Sequence, residues 1–290
     1  MKYGLQVVQA WSPKNGVENV SKFLMNMAKE AEDAGWDGFF LWDHLYFTWV
    51  PVAIPDSWSI LSAAAARTDK IYLGTNVTAV TRRKPQVLAK QLATIDQISD
   101  GRVILGAGLG GSGQQSGPGE EFTTFGEPAD YKTLAKIADE ALEVITGLWS
   151  GEPFYFDGQF FKLNQVTFQP TPIQNPRIPI WIGAVKDRAL RRAARYDGWV
   201  TGGPCPSAGD KGINFEQLSE KMKLIKRYKE IPESYDVIYA FEFPNDDMDK
   251  YIEGAMGVGV TWMLDVISAL RHGSGDKALA YIKRGPPEIG

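Results

Sequence analysis

The chain has one cysteine, two histidines, no long apolar run and little excess charge, and each shortage removes a class of function. Cys205 is the only cysteine among 290 residues, so a disulfide framework and a thiolate metal cage are excluded. It stands between Pro204 and Pro206 with no histidine nearby, which reads as an incidental loop position and not as a nucleophile. The two histidines, His44 and His272, are far apart in sequence, and His272 lies in Arg271-His272-Gly273-Ser274-Gly275, the composition of an exposed turn. No lysine closes a strand-like run, so a metal or Schiff-base enzyme finds little support. The formal net charge of −4 is spread along the chain, which argues against a nucleic acid or a membrane surface as partner. No apolar stretch approaches the roughly 20 residues of a membrane span, and a strand pattern begins at once at the N-terminus. The expectation is a cytoplasmic protein.

What the sequence does contain is an alternation of apolar runs with helix-period segments, the pattern of an α/β protein with a parallel sheet. Strands are expected at 3–9, 38–42, 71–77, 103–107, 180–183, 198–201, 237–241 and about 259–263. Val20, Leu24, Met27 and Ala31 recur at helical spacing before Gly35, and a further helix is expected from about 85 to 98. Between Gly106 and Gly119 there are seven glycines among serines and glutamines, so this stretch reads as a mobile loop. Phe154-Tyr155-Phe156 and Phe160-Phe161 flank Asp157-Gly158, a hairpin signal. That hairpin and the proline-rich 169–179 form an insertion between strands four and five. Eight strands and about as many helices favour a closed (β/α)8 TIM barrel with insertions over an open doubly wound sheet, since such a barrel typically needs about 250 residues. The whole of 1–290 reads as a single domain.

Residues that carry chemistry collect at strand ends. The run Gly38-Phe39-Phe40-Leu41-Trp42 stops at Asp43-His44, and side chains at the C-terminal ends of barrel strands face the active-site mouth. Histidine titrates near neutral pH and suits proton transfer, although one histidine after a strand can equally cap the next element. Gly106-Ala107-Gly108-Leu109-Gly110-Gly111 follows a strand, but a dinucleotide fingerprint needs a helix opening within it. It reads instead as a strand end whose missing Cβ atoms leave room for a flat ligand. Thr75-Asn76-Val77-Thr78 ends the third strand. The Arg82-Arg83-Lys84 that follows reads as a solvated basic loop ahead of Pro85. Ile180-Trp181-Ile182-Gly183-Ala184 leads to a helix near Asp187, a geometry suited to a phosphate and equally to an ordinary turn.

Taken in order, several blocks resemble one family. They are Asp43-His44, Leu73-Gly74-Thr75-Asn76-Val77, Ala89-Lys90-Gln91-Leu92-Ala93-Thr94-Ile95-Asp96, Gly101-Arg102-Val103-Ile104-Leu105-Gly106-Ala107-Gly108, Ile178-Pro179-Ile180-Trp181-Ile182-Gly183 and Asp197-Gly198-Trp199. The chain resembles the bacterial luciferase-like monooxygenase superfamily, and within it the coenzyme F420-dependent oxidoreductases, from the first strand to about Trp199. The resemblance implies a homodimeric TIM barrel with a flavin or deazaflavin ring across its mouth. It implies a non-proline cis peptide at Asn76–Val77 against one ring face, with Thr75, Gly106 and Gly108 in the cofactor shelf. A phosphate would sit on the backbone of Gly183, Ala184 and Val185, Asp43 would bond the ring edge, and His44 would move a proton to or from a small organic substrate. The implied cofactor is F420 in hydride transfer. The alternatives are an FMN-dependent two-component monooxygenase served by a separate reductase, and a cofactor-binding protein without turnover.

Two positions depart from the F420-dependent sugar-phosphate dehydrogenases. Their strand-four loop carries a glutamate where Gly111 stands here, and they carry a lysine after strand six where this chain has Pro204. A sugar phosphate is therefore not expected. Trp11, Trp42, Phe47, Trp49 and Trp58 read either as an aromatic pocket or as packing under the loops, and the glycine-rich stretch after Gly108 as a candidate lid.

Overall fold

The computed structural model describes residues 1–45, 52–110, 120–244 and 246–287. Its strands are β1 (Lys2–Val7), β2 (Gly38–Asp43), β3 (Tyr72–Ala79), β4 (Val103–Gly108), β5 (Pro153–Asp157), β6 (Lys162–Thr167), β7 (Ile180–Gly183), β8 (Gly198–Gly202), β9 (Asp236–Phe241) and β10 (Trp262–Ile267). Eight of them close a barrel in the order β1-β10-β9-β8-β7-β4-β3-β2, and every neighbouring pair is parallel. The helices are α1 (Val20–Asp33), α2 (Ser57–Ala65), α3 (Pro85–Ile98), α4 (Glu120–Thr124), α5 (Tyr131–Trp149), α6 (Asp187–Ala193), α7 (Phe215–Tyr228), α8 (Met248–Gly257), α9 (Ala269–His272) and α10 (Gly275–Ile282). This is the expected (β/α)8 barrel. None of its described helices is long and apolar enough to cross a membrane.

The strands read as near-continuous apolar runs because both of their faces are covered. One face packs on the surrounding helices. The other fills the barrel with Phe40, Ile104, Trp181, Ile238, Trp262 and Leu264. Three of those rings lock together, with centroids 5.2 Å apart for Phe40–Trp181 and for Trp181–Trp262. At the strands' N-terminal end the Lys2 ammonium lies over Tyr72 and Trp262, at 4.3 and 4.9 Å. The interior is thus packed below, and open space is left at the C-terminal end of the strands.

The insertion is antiparallel β5–β6, between the fourth and fifth barrel strands. Phe160 and Phe161, expected in its second strand, lie in the turn. There the Glu140 carboxylate accepts from the backbone N–H groups of Gln159, Phe160 and Phe161 at 2.8, 2.8 and 3.1 Å, so these donors need no strand partner. The last barrel strand is also displaced, from about 259–263 to Trp262–Ile267. Gly259 turns the chain at φ +83°, and Asp265 interrupts the apolar signal of the true strand. His272 is a third correction. It ends α9 and is half-buried, with Nδ1 3.1 Å from the Ser268 carbonyl, and burial holds its pKa below the usual value.

Candidate active site

Where β3 reaches the mouth, its pairing slips against both neighbours, between Leu41 and Asp43 on one side and Gly74 and Thr78 on the other. The Asn76–Val77 peptide in this bulge is cis, as the resemblance implies. β4 permits the bulge by presenting no side chains to it. A Cβ on Gly106 would lie 1.9 Å from the Thr75 carbonyl oxygen, and one on Gly108 would lie 2.5 Å from Val77 Cγ2. The room left by these glycines is occupied by β3, where the sequence reading expected a flat ligand. Thr75 is buried beneath the bulge, its hydroxyl bonded to the Gly106 carbonyl at 3.1 Å and to Thr78 Oγ1 at 2.9 Å. Asn76 faces the mouth and donates to Gln6 Oε1.

A buried charge network occupies the ends of β2 and β3. Arg83 grips Asp43 with both arms, Nε to Oδ2 at 3.0 Å and Nη2 to Oδ1 at 2.6 Å, and reaches Asp56 at 3.2 Å. Arg82 donates through Nη2 to the Asp43 carbonyl at 2.6 Å and through Nη1 to Glu121 Oε1. Glu121 also accepts from the Leu45 N–H at 2.8 Å and lies 3.2 Å from His44 Nδ1. Arg82 and Arg83 are therefore not a solvated loop, and of the basic trio only Lys84 is exposed. Local composition suggested water as their partner because the acids that hold them come from distant elements. Burial alone would raise the pKa of Glu121. The hydrogen bond from His44, the charge of Arg82 and the Leu45 N–H outweigh it and hold the carboxyl below its usual 4.5. A carboxylate only accepts, so Nδ1 of His44 carries the hydrogen. The lone pair of the neutral ring then lies on Nε2.

Two cavities open over the barrel. The larger, about 1060 Å³, lies over the ends of β1, β8, β9 and β10, and the smaller, about 900 Å³, holds Asp43, His44, Gly108 and Glu121. Trp42, Asn76, Val77, Gly183, Ala184 and Val185 line both and form the ridge between them. The indole of Trp199 donates to the Ala184 carbonyl at 2.7 Å and fixes that ridge. Thr75 and Gly106 line neither cavity. Trp11 and Trp58 are core residues, and only Trp42 of the described aromatic candidates faces the mouth. Phe47, Trp49, Gly111 and most of the glycine-rich stretch lie outside the described residues.

The smaller cavity is rimmed by Lys132 and Lys136 of α5 and by Lys186, Arg188 and Arg192 around α6. Arg192 is committed to Asp139 at 2.7 and 3.1 Å. Among the described residues, no carboxylate pairs with the other four. The sequence reading gave neither Glu121 nor these cations a role. The i,i+4 spacing of Lys132 and Lys136, which sets both on one face of a helix, was the signal available for the latter. No group of acids, histidines and cysteine among the described residues could hold a metal ion.

Comparison with known proteins agrees with this architecture. The chain is 34% identical over 193 residues to the F420-dependent glucose-6-phosphate dehydrogenase of Nakamurella multipartita, an alignment covering 63% of this chain and 53% of that protein. The chain thus spans about half the length of the curated relatives it matches first. Its fold is similar to that of an F420-dependent secondary alcohol dehydrogenase in complex with an F420–acetone adduct, with TM-score 0.74, 18% identity and 100% of both chains covered. It is also similar to the oxygenating constituent of 3,6-diketocamphane monooxygenase from Pseudomonas putida in complex with FMN, with TM-score 0.63, 16% identity, and 83% of this chain and 67% of that one covered. At these identities the structural likeness is one of fold. Residues 1–242 match the family model for luciferase-like monooxygenases, and with its closed barrel and bulged third strand the chain belongs to that family.

Proposed function

We propose that this chain is an F420-dependent oxidoreductase that exchanges a hydride with a small organic substrate while His44 takes or returns the proton. The observation that carries the reading is the His44–Glu121 pair, 3.2 Å apart at the wall of a cavity whose far rim holds four cations with no carboxylate partner among the described residues. When bound, the deazaflavin supplies the hydride chemistry, and the protein supplies binding, orientation and proton handling. The residues present fit such a group. Val77 offers an apolar ridge, and the backbone of Gly183, Ala184 and Val185 can take the phosphate. Lys132, Lys136, Lys186 and Arg188 can take further carboxylates along the cofactor's side chain. Glu121 orients His44 so that Nε2 is the proton-accepting atom, while Arg82 keeps that carboxylate charged. Asp43, bonded by Arg83 through both oxygens, supports this network at the wall of the same cavity, where a lone pair left on each oxygen can also bond the ring edge.

The second reading, an FMN-dependent monooxygenase with a separate reductase, uses the same ridge and phosphate position. The cation rim favours F420, since FMN ends in a single phosphate and leaves most of these charges unanswered. Fluorescence titration with F420 and FMN in parallel tests the assignment. Tighter binding of F420 is expected. Preference for FMN would make the monooxygenase the better reading, and binding of neither would overturn both.

A further inference from the structure

The larger cavity has no role yet, and its lining is mixed. Val8, Val77, Val200, Ala240 and Val266 are apolar, whereas Lys14, Asp210 and Glu242 stand on the segments that follow the strands. Among the strand residues on that lining two are amides, Gln6 of β1 and Asn76 of β3. Asn76 donates to Gln6 Oε1, so their bond reaches across β2, which lies between the two strands. The barrel interior beneath is filled with rings and leaves the rest of either amide to the cavity. Gln6 lies two residues beyond Gly4 on the same face of β1, and a Cβ on Gly4 would already meet Phe40, which packs with Trp181 and Trp262. Both amides are half-buried, and among the described residues neither side chain makes another hydrogen bond. An amide has two N–H donors and an oxygen with two lone pairs. Whichever way the two are turned, the pair keeps donors and lone pairs to spare.

We infer that the Gln6–Asn76 pair is a specificity element for the far end of the cofactor ring, bonding the C8 hydroxyl of F420 and left unanswered against a methyl of FMN. This rests on the proposed function. There the phosphate belongs on the backbone of Gly183, Ala184 and Val185, the tail carboxylates on the cations, and the N–H edge of the ring on Asp43, all residues of the smaller cavity. The benzenoid end of the ring then extends past Val77, which lines both cavities, into the larger one. That end is where the two candidate rings differ, since F420 bears a hydroxyl at C8 and FMN bears methyl groups at C7 and C8. A site built to bond a hydroxyl rejects the ligand without one, because its own polar atoms lose water and gain no partner. The pair serves the hydroxyl in either protonation state. An amide oxygen accepts from the neutral form, and an amide N–H donates to the ionised form.

The test uses rings without tails. 5-Deazariboflavin, with methyls at C7 and C8, is compared by fluorescence titration of the full chain with its analogue that has a hydroxyl at C8 and no methyls. Neither carries a phosphate or a carboxylate, so the cations do not contribute. The hydroxyl ring should bind at least about tenfold more tightly, and Gln6→Leu should bring the two within about threefold, chiefly by weakening the hydroxyl ring. In Gln6→Glu a carboxylate replaces the N–H donors, so the hydroxyl of bound F420 should ionise at a higher pH than in wild type, as its absorption spectrum across pH reads. Equal affinities in wild type would overturn the inference, as would Gln6→Leu weakening both rings alike, an unshifted ionisation in Gln6→Glu, or binding of neither ring. If the hydroxyl ring is preferred but F420 binds no more tightly than that ring, the amide pair stands and the role of the cations fails. If F420 binds tightly and the two rings bind alike, the cofactor assignment stands and the role of the pair fails.

Discussion

Glu121 gathers the Leu45 N–H, the Arg82 guanidinium and the His44 imidazole on one carboxylate, so it joins the loop after β2 to the turn after β3. Two substitutions test the proposed proton transfer and its support separately. His44→Ala should lower kcat/KM by about 10²–10⁴-fold with cofactor affinity retained, the usual size of a general acid–base contribution. Glu121→Gln should cost less, about 10–100-fold, in line with groups that orient metal-bound histidines. Steady-state kinetics beside a cofactor titration reads both. The same carboxylate marks stability. A group whose pKa is lowered on folding adds stability that is present above its unfolded value near 4.5 and is lost as pH falls through the lower folded value. Wild type should therefore lose more stability than Glu121→Gln as pH drops below about 4.5, which melts across that range would show.

The β3 bulge and the β10 terminus are the elements on which the mouth depends. Gly106→Ala drives a Cβ against backbone, at 1.9 Å from the Thr75 oxygen, and should destabilise the fold by about 1–3 kcal/mol. Gly108→Ala crowds the Val77 side chain at 2.5 Å and meets backbone only at an ordinary 3.9 Å, so it should weaken cofactor binding more than it lowers the melting temperature. At β10, the fully buried Asp265 accepts from the Phe243 N–H at 2.9 Å and the Tyr281 hydroxyl at 2.5 Å, and pairs with Arg271. Arg271→Met leaves that carboxylate without its counter-charge and should cost about 3–5 kcal/mol in denaturant unfolding. Asp265 also shows why one strand was hard to read. Apolar runs announce strands covered on both faces, and a buried acid satisfied by residues six and sixteen positions onward breaks the run without breaking the strand. The site divided the same way. Asp43-His44 was legible because it ends an apolar strand, whereas the Glu121 contact joins residues 77 apart in sequence and leaves no local pattern. Arg82 and Arg83 carried the right charge, but only the folded chain supplies their acids.

Taken whole, the mouth is an electrostatic gradient, with cations around α5 and α6 on one side and acids near β8 and β9 on the other. An anionic cofactor tail on the cationic side should bind less well as salt screens it. Lys132→Ala/Lys136→Ala should raise the F420 dissociation constant more than that for FMN, and both effects are read by titration across ionic strength. Saturating cofactor should stabilise the chain by about 2.7 kcal/mol at a hundredfold excess over its dissociation constant, visible as a raised melting temperature.

The barrel closes along the seam where β1 hydrogen-bonds to β10, residue 2 opposite residue 262. During synthesis the first strand therefore leaves the ribosome long before its partner exists. Until that partner arrives, the growing sheet has an open flank that no later strand but β10 can cover, and such a flank recruits strands from other chains. Cellular yield of this protein should thus depend on what shields the nascent chain as much as on the stability of the finished barrel.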